Sequence, residues 1–254
     1  MRDDIVVFLG PTLSEPQART YLDAVYLPPV GCADVVRAVA KYAPAAIVLI
    51  DGVLGQLPAV RHQEILWAMV RGVRIYGASS IGALRAAELA PLGMIGHGLI
   101  YRWYRRHPFA DDADVTVPMA PPAIGSRALG DALVDIRLTL KKAERIGIIQ
   151  RRLRCELESL ARALHFSERS FPKLMAAAEN NCGAADEIEA LKAWLKTGAA
   201  SRKRIDAVNL LTHLANQKIN RPNERLHFEF ELTESFANDM EYYNMIDSLL
   251  SKGT

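Results

Sequence analysis

The chain has 254 residues, 50% hydrophobic and 24% charged, a composition that buries an ordinary core without disulfides or structural metals and excludes disorder, collagen and coiled coil. Its 31 basic and 29 acidic residues leave a net charge of +2, too weak for a nucleic-acid coat, so electrostatic recognition has to be local. Met1-Arg2-Asp3-Asp4 runs straight into a short apolar stretch and no run approaches the roughly 20 residues of a spanning helix, so a cytoplasmic protein without a signal peptide is expected.

The first half alternates strand and helix. Ile5 to Leu9 is a β-branched run stopped by Gly10-Pro11, Ala46 to Ile50 a second stopped by Asp51-Gly52, and Val73 to Tyr76 a third stopped by Gly77-Ala78. Helical stretches lie around and between them: Glu15 to Val25, Ala33 to Tyr42, Val60 to Arg71 and Ile81 to Leu89. The β-α-β-α-β-α order implies a parallel sheet with right-handed crossovers, and ligands of such sheets sit at the carboxyl ends of the strands. Those ends carry Gly10-Pro11-Thr12, Asp51-Gly52 and Gly77-Ala78-Ser79-Ser80, which would face one cleft.

Asp111 to Asp114 and the Pro118 to Pro122 stretch punctuate the chain. Beyond Ser126 the periodicity is helical: Arg127 to Gly147, Arg151 to His165, Glu168 to Asn180, Ala184 to Lys196 and Ser201 to Gln217. His227 to Leu232 alternates as a strand, and a last helix runs from Glu234 to Leu250. The expected class is α/β, a short parallel sheet with flanking helices over 1–125 and an α-rich region over 126–254. The basic residues Arg137, Lys141, Lys142, Arg145, Arg151, Arg152 and Arg154 cluster in that region, and solvated helix faces account for them.

Several chemistries can be set aside. There is no Gly-x-x-x-x-Gly-Lys-Ser/Thr phosphate loop, and Gly93, Gly96 and Gly98 follow a helix instead of opening one, so they read as a turn. Cys32, Cys155 and Cys182 are far apart, which argues against a disulfide framework or a zinc site, and His62-x-Glu64 lacks the cysteine pair of a deaminase. The acidic loop at Asp111, Asp112 and Asp114 reads as solvated more readily than as an ion site. No metal and no cofactor is expected.

What remains is the block Gly77 to Leu89. A strand enters, small residues permit a sharp turn, and a serine opens a helix, the arrangement of a nucleophile elbow in which the next N–H faces a developing oxyanion. Spacing alone favours a plain N-capping role for Ser79 or Ser80. An anion held at this helix N-terminus, with Arg85 one turn along, is an intermediate reading. A nucleophilic serine needs a base, and no histidine lies in a recognisable triad motif. Lys203 stands near a helix start, where the dipole favours the neutral amine, although an exposed lysine in a basic turn fits the same spacing.

These residues resemble the TfuA family, proteins associated with YcaO enzymes in peptide backbone thioamidation. The likeness lies in Phe8-Leu9-Gly10-Pro11-Thr12-Leu13, Leu27-Pro28-Pro29, Leu49-Ile50-Asp51-Gly52, Glu64 to Ala68, the block Gly77 to Leu89, and Gly93-Met94-Ile95-Gly96. It thins in the second half to Arg169 and Lys203-Arg204-Ile205-Asp206-Ala207. The family pattern admits a small residue at position 79, which points to Ser80 as the functional hydroxyl.

The resemblance implies a hydrolase-like Ser-Lys pair that releases sulfide from a thiocarboxylated ThiS-like carrier and assists a YcaO-type enzyme in binding its substrate. Ser80 and Lys203 are the expected pair, with Lys141 and Lys142 as competing bases. Gly10, Thr12, Asp51, Ser79, Ile81 and Arg85 are the expected oxyanion and substrate-binding positions. A non-catalytic adaptor holding the carrier and the YcaO enzyme is the competing reading, and an unrelated small-molecule hydrolase a third. No nucleic-acid or membrane partner is expected; a homo-oligomer is compatible with the sequence.

Overall fold

The computed structural model describes residues 4–53, 55, 57–121, 124–219 and 228–250. Five parallel strands form one sheet: β1 (Ile5–Phe8), β2 (Val25–Leu27), β3 (Ala46–Leu49), β4 (Arg74–Gly77) and β5 (Ile95–Gly96). Their order is β2-β1-β3-β4-β5, so the direction of winding reverses between β1 and β3, the switch point at which such sheets place their ligands. Ile5 to Phe8 and Ala46 to Leu49 are wholly buried, which is why they read as continuous apolar runs without alternation.

The helices in the first half are α1 (Glu15–Arg19), α2 (Asp34–Tyr42), α3 (His62–Val70), α4 (Ile81–Leu89) and α5 (Gly98–Arg106). The expected helix to Val25 is shorter: it ends at Arg19, and Val25 instead begins β2, because pairing with Val6, Val7 and Phe8 outweighs the local helical pattern. The glycine patch at 93–98 is likewise more than a turn, since Ile95 and Gly96 pair with Tyr76 and Gly77. Buried Glu64 closes two helix starts at once, accepting from Arg61 N (2.8 Å), Ala33 N (3.3 Å) and Val35 N (3.1 Å). Burial pushes its carboxyl up to about 8 against the pull of those three donors.

The second half continues with α6 (Leu133–Arg145), α7 (Arg151–Ala163), α8 (Phe171–Asn181), α9 (Ala185–Gly198), α10 (Arg202–Ala215), α11 (Glu234–Tyr242) and α12 (Ile246–Leu250). The expected terminal helix is broken at Asn244, whose φ of 55° is left-handed. The expected strand at 227–232 does not form: residues 228–232 are irregular, Phe230 lies edge-on to Phe236, and His227 lies outside the described residues.

The chain divides into two compact units, Met1–Pro108 with Arg204–Thr254, and Phe109–Lys203. The boundary drawn from the sequence at 125/126 marks the change of periodicity, whereas the packing returns the bulk of α10 to the α/β unit. There Ala207, Leu210, Leu211 and Leu214 join Ile5, Val7, Val48, Ile50 and Ala78 in one core. The helical unit has its own core, built on Leu133, Ile136, Leu140, Leu153, Leu157, Leu174 and Leu191. No helix of the described residues is long and apolar enough to cross a membrane.

Candidate functional site at the carboxyl edge of the sheet

The seat of α4 is set by two glycines. A Cβ on Gly82 would fall 1.7 Å from the Leu49 carbonyl oxygen, and one on Gly77 would fall 2.0 Å from the Gly82 carbonyl oxygen. Only backbone fits there, so the first turn of α4 lies directly against the ends of β3 and β4. The connection between β4 and α4 is correspondingly sharp. Ser79 has φ +71°, rare for a residue with a side chain, and Ser80 N donates to Ala78 O at 2.9 Å across it, which makes a three-residue γ-turn of the strained kind.

Ser80 occupies the N-cap position of α4 at φ −109° and ψ −124°, outside the usual extended range, and its side chain makes no capping hydrogen bond. The capping role favoured by spacing is therefore not the one its hydroxyl plays. Ala83 N and Leu84 N both reach the Ser80 carbonyl oxygen, at 3.0 and 3.3 Å, so the first helical bonds are made by the Ser80 main chain. Ile81 is wholly buried at the first position of the helix.

Ser79 is turned inward. Its Oγ lies 3.2 Å from Thr12 Oγ1, and Thr12 Oγ1 donates to Asp51 Oδ1 at 2.6 Å. Because the threonine hydroxyl has a single proton and directs it at Asp51, Ser79 is the donor to Thr12. Asp51 Oδ2 accepts from both Gly10 N and Thr12 N, each at 3.0 Å. Asp51, Thr12 and Gly10 stand at the ends of β3 and β1, at the reversal of strand order. This departs from the expected oxyanion role of the Gly10 to Thr12 turn: Pro11 has no N–H, and the flanking two amides are directed at Asp51, itself an anion.

Arg85 lies further along α4, with its side chain 12% exposed. It donates to Val60 O at 3.2 Å and to Glu88 Oε2 at 2.8 Å, and His62 Nε2 lies 2.7 Å from the same carboxylate oxygen. Burial opposes it, but the bonds from His62 and Arg85 hold the Glu88 carboxyl below its ordinary value. The guanidinium charge expected to orient an anion is thus balanced by Glu88 and ties α4 to the start of α3.

Two features of this edge have no local signature in the sequence. His97 follows β5 and donates its N–H to Gly77 O at 2.9 Å, which brings it beside the serine turn. Burial, and then the neighbouring His213 ring 5.5 Å away, lower its pKa, with Asp206 opposing. Asp206, wholly buried on α10, accepts from Ile100 N at 2.8 Å and closes the N-terminus of α5, where a Cβ on Gly98 would meet its carboxylate at 2.3 Å.

Within the helical unit, Lys203 is 4% exposed and its Nζ donates to Val115 O at 3.0 Å. Its main-chain N–H and that of Arg202 point at Asp135, at 3.3 and 2.6 Å, so Asp135 caps α10 from α6. Of the competing lysines, Lys141 is exposed and Lys142 donates to Gly198 O at 3.0 Å beside the Trp194 ring. The basic cluster is partly resolved into pairs, Arg154 with Glu144 and Glu158, Arg152 with Glu156, and Arg137 with Asp114. The described residues hold no group of three or more metal-ligating side chains.

Fold and site together define a parallel α/β protein with a serine pair on a strained strand-to-helix turn at the carboxyl edge of its sheet. Residues 51–170 match the family model of TfuA-like proteins. The matched segment holds Asp51, Ser79, Ser80, Ile81, Arg85, Lys141 and Lys142, while Gly10, Thr12 and Lys203 lie outside it. No curated protein matches the chain.

Proposed function

We propose that the protein is a TfuA-type accessory protein of YcaO-dependent peptide thioamidation that hydrolyses the C-terminal thiocarboxylate of a ThiS-like carrier. The observation that carries this reading is Ser80, held at the head of α4 on a strained turn with no capping duty for its hydroxyl. The Ser80 oxygen attacks the thiocarboxylate carbon, the C–S bond breaks, and sulfide leaves for use by the YcaO-type enzyme. Water then cleaves the acyl ester, giving the carrier carboxylate and restoring the Ser80 hydroxyl. The N-terminal N–H groups of α4, starting at Ile81, are the donors for the oxyanion, since the amides of the Gly10 to Thr12 turn serve Asp51.

The family resemblance supplies Lys203 as the base that takes the Ser80 proton. A base and a fixed charge respond differently to arginine, which keeps its proton in either case; Lys203→Arg should therefore be nearly as inactive as Lys203→Ala. The direct test is to mix the full chain with a thiocarboxylated carrier and follow the carrier by mass spectrometry. Conversion to the carboxylate by the wild type and not by Ser80→Ala supports the reading. Carrier binding without conversion by either would leave the adaptor, in which the same edge only holds the carrier tail.

A further inference from the structure

We infer that Asp51 and Thr12 are positioning residues for the serine turn: Asp51 fixes the Thr12 hydroxyl, Thr12 holds Ser79, and Ser79 sets the backbone that presents Ser80. The inference rests on the reading of Ser80 as the nucleophile and concerns what aims it. Asp51 is 1% exposed and Ser79 wholly buried, so neither has water to replace a lost partner. The carboxylate takes three donors from one short turn, Gly10 N, Thr12 N and Thr12 Oγ1, which locks that turn to the end of β3. The Thr12 oxygen, its own proton directed to Asp51, accepts from the buried Ser79 hydroxyl at 3.2 Å.

A non-glycine residue in the left-handed region is strained by on the order of 1–3 kcal/mol and persists only where its surroundings hold it there. Ser79 stands in that region, and the Ser80 N–H closes the turn around it. The hydrogen bond from Ser79 to Thr12 is the side-chain restraint on this turn. Asp51 also removes a choice from the site: by taking the amides at 10 and 12 it leaves no N–H of that turn to attract a substrate anion, so the negative tail is directed to the N-terminus of α4. Asp51 and Thr12 act on geometry alone and touch no reacting atom.

The contrast between Thr12→Val and Thr12→Ser tests this in the full chain. Valine keeps the shape and both amide bonds to Asp51 but has no hydroxyl; serine restores it. Thr12→Val should lower kcat for thiocarboxylated carrier by about 10²-fold with KM unchanged, the loss expected when a reacting group is displaced by about 1 Å. It should also speed amide hydrogen exchange in the peptide covering 78–84, and Thr12→Ser should return both to wild-type behaviour. Wild-type turnover by Thr12→Val, unchanged exchange in that peptide, or a Thr12→Ser variant no better than valine would each overturn the inference. Should Ser80→Ala retain full turnover, the nucleophile reading falls, while the exchange contrast still decides whether Thr12 holds the turn.

Discussion

Asp51 in the α/β unit and Arg169 in the helical unit are both almost fully buried charges, 1% and 4% exposed, and they direct their hydrogen bonds to different ends. Arg169 donates to Ala161 O (3.0 Å) and Leu164 O (3.1 Å), carbonyls at the C-terminus of α7, and to Ala113 O (2.7 Å). A helix end leaves such carbonyls without intrahelical partners, and a guanidinium closes several of them at once. Asp51 instead collects the donors of a turn and passes restraint through two hydroxyls to the serine turn. The difference teaches that burial of a charge is not by itself a sign of a site. What separates the two is whether the partners end on main chain or continue to a side chain at the edge of the sheet.

Glu64 breaks a simple division by unit, since it lies in the α/β unit and does the work of Arg169, closing helix starts. Its folded pKa of about 8 stands above the ordinary 4.5, so the protonated form is favoured by folding. Stability from this group is complete below pH 4.5 and falls as the pH rises toward 8. Chemical denaturation across that range should show the slope, and Glu64→Gln should flatten it; an unchanged slope in the variant would assign it to other groups.

The seat of α4 sharpens the comparison next, because it is made by backbone and by no charge. Gly82→Ala drives a methyl group into the Leu49 carbonyl and should lower stability by about 3 kcal/mol, the upper range for overpacking. A melting temperature equal to wild type would mean that α4 is seated otherwise.

Arg169→Lys keeps the charge but not the fork that reaches three carbonyls. It should lower stability by about 2 kcal/mol, and the rate of the proposed carrier hydrolysis per folded molecule should not change. A selective loss of rate would place Arg169 with the site and erase the contrast with Asp51. The smallest effect is expected at Arg85→Ala, about 1 kcal/mol, since its partner Glu88 is part-exposed and is also bonded by His62. A large fall in carrier affinity with stability intact would instead show that Arg85 leaves Glu88 to meet an anion.

Much of this protein was legible in the sequence. The strand runs predicted from Ile5, Ala46 and Val73 and the helix at 81–89 follow from residue type and period, which are local properties. So does the position of the serine pair, since a strand stopped by Gly-Ala-Ser-Ser before a helical pattern fixes where the turn must be. β2 and β5 were not legible: three and two residues are too few to carry a period, and they are strands because β1 and β4 offer hydrogen bonds. α5 begins at Gly98 because Asp206, 106 residues away from Ile100, supplies its cap.

The apolar runs and the residues that stop them likewise placed Asp51, Thr12 and Ser79 at the strand ends. Only the tertiary structure decided what each does there. A carboxylate, a hydroxyl and an amide can each face solvent, substrate or one another. That choice depends on the register of β1, β3 and β4, which sets neighbours 39 and 67 residues apart side by side. The sequence names the polar groups, and the sheet, by excluding water from them, decides which of them must pair.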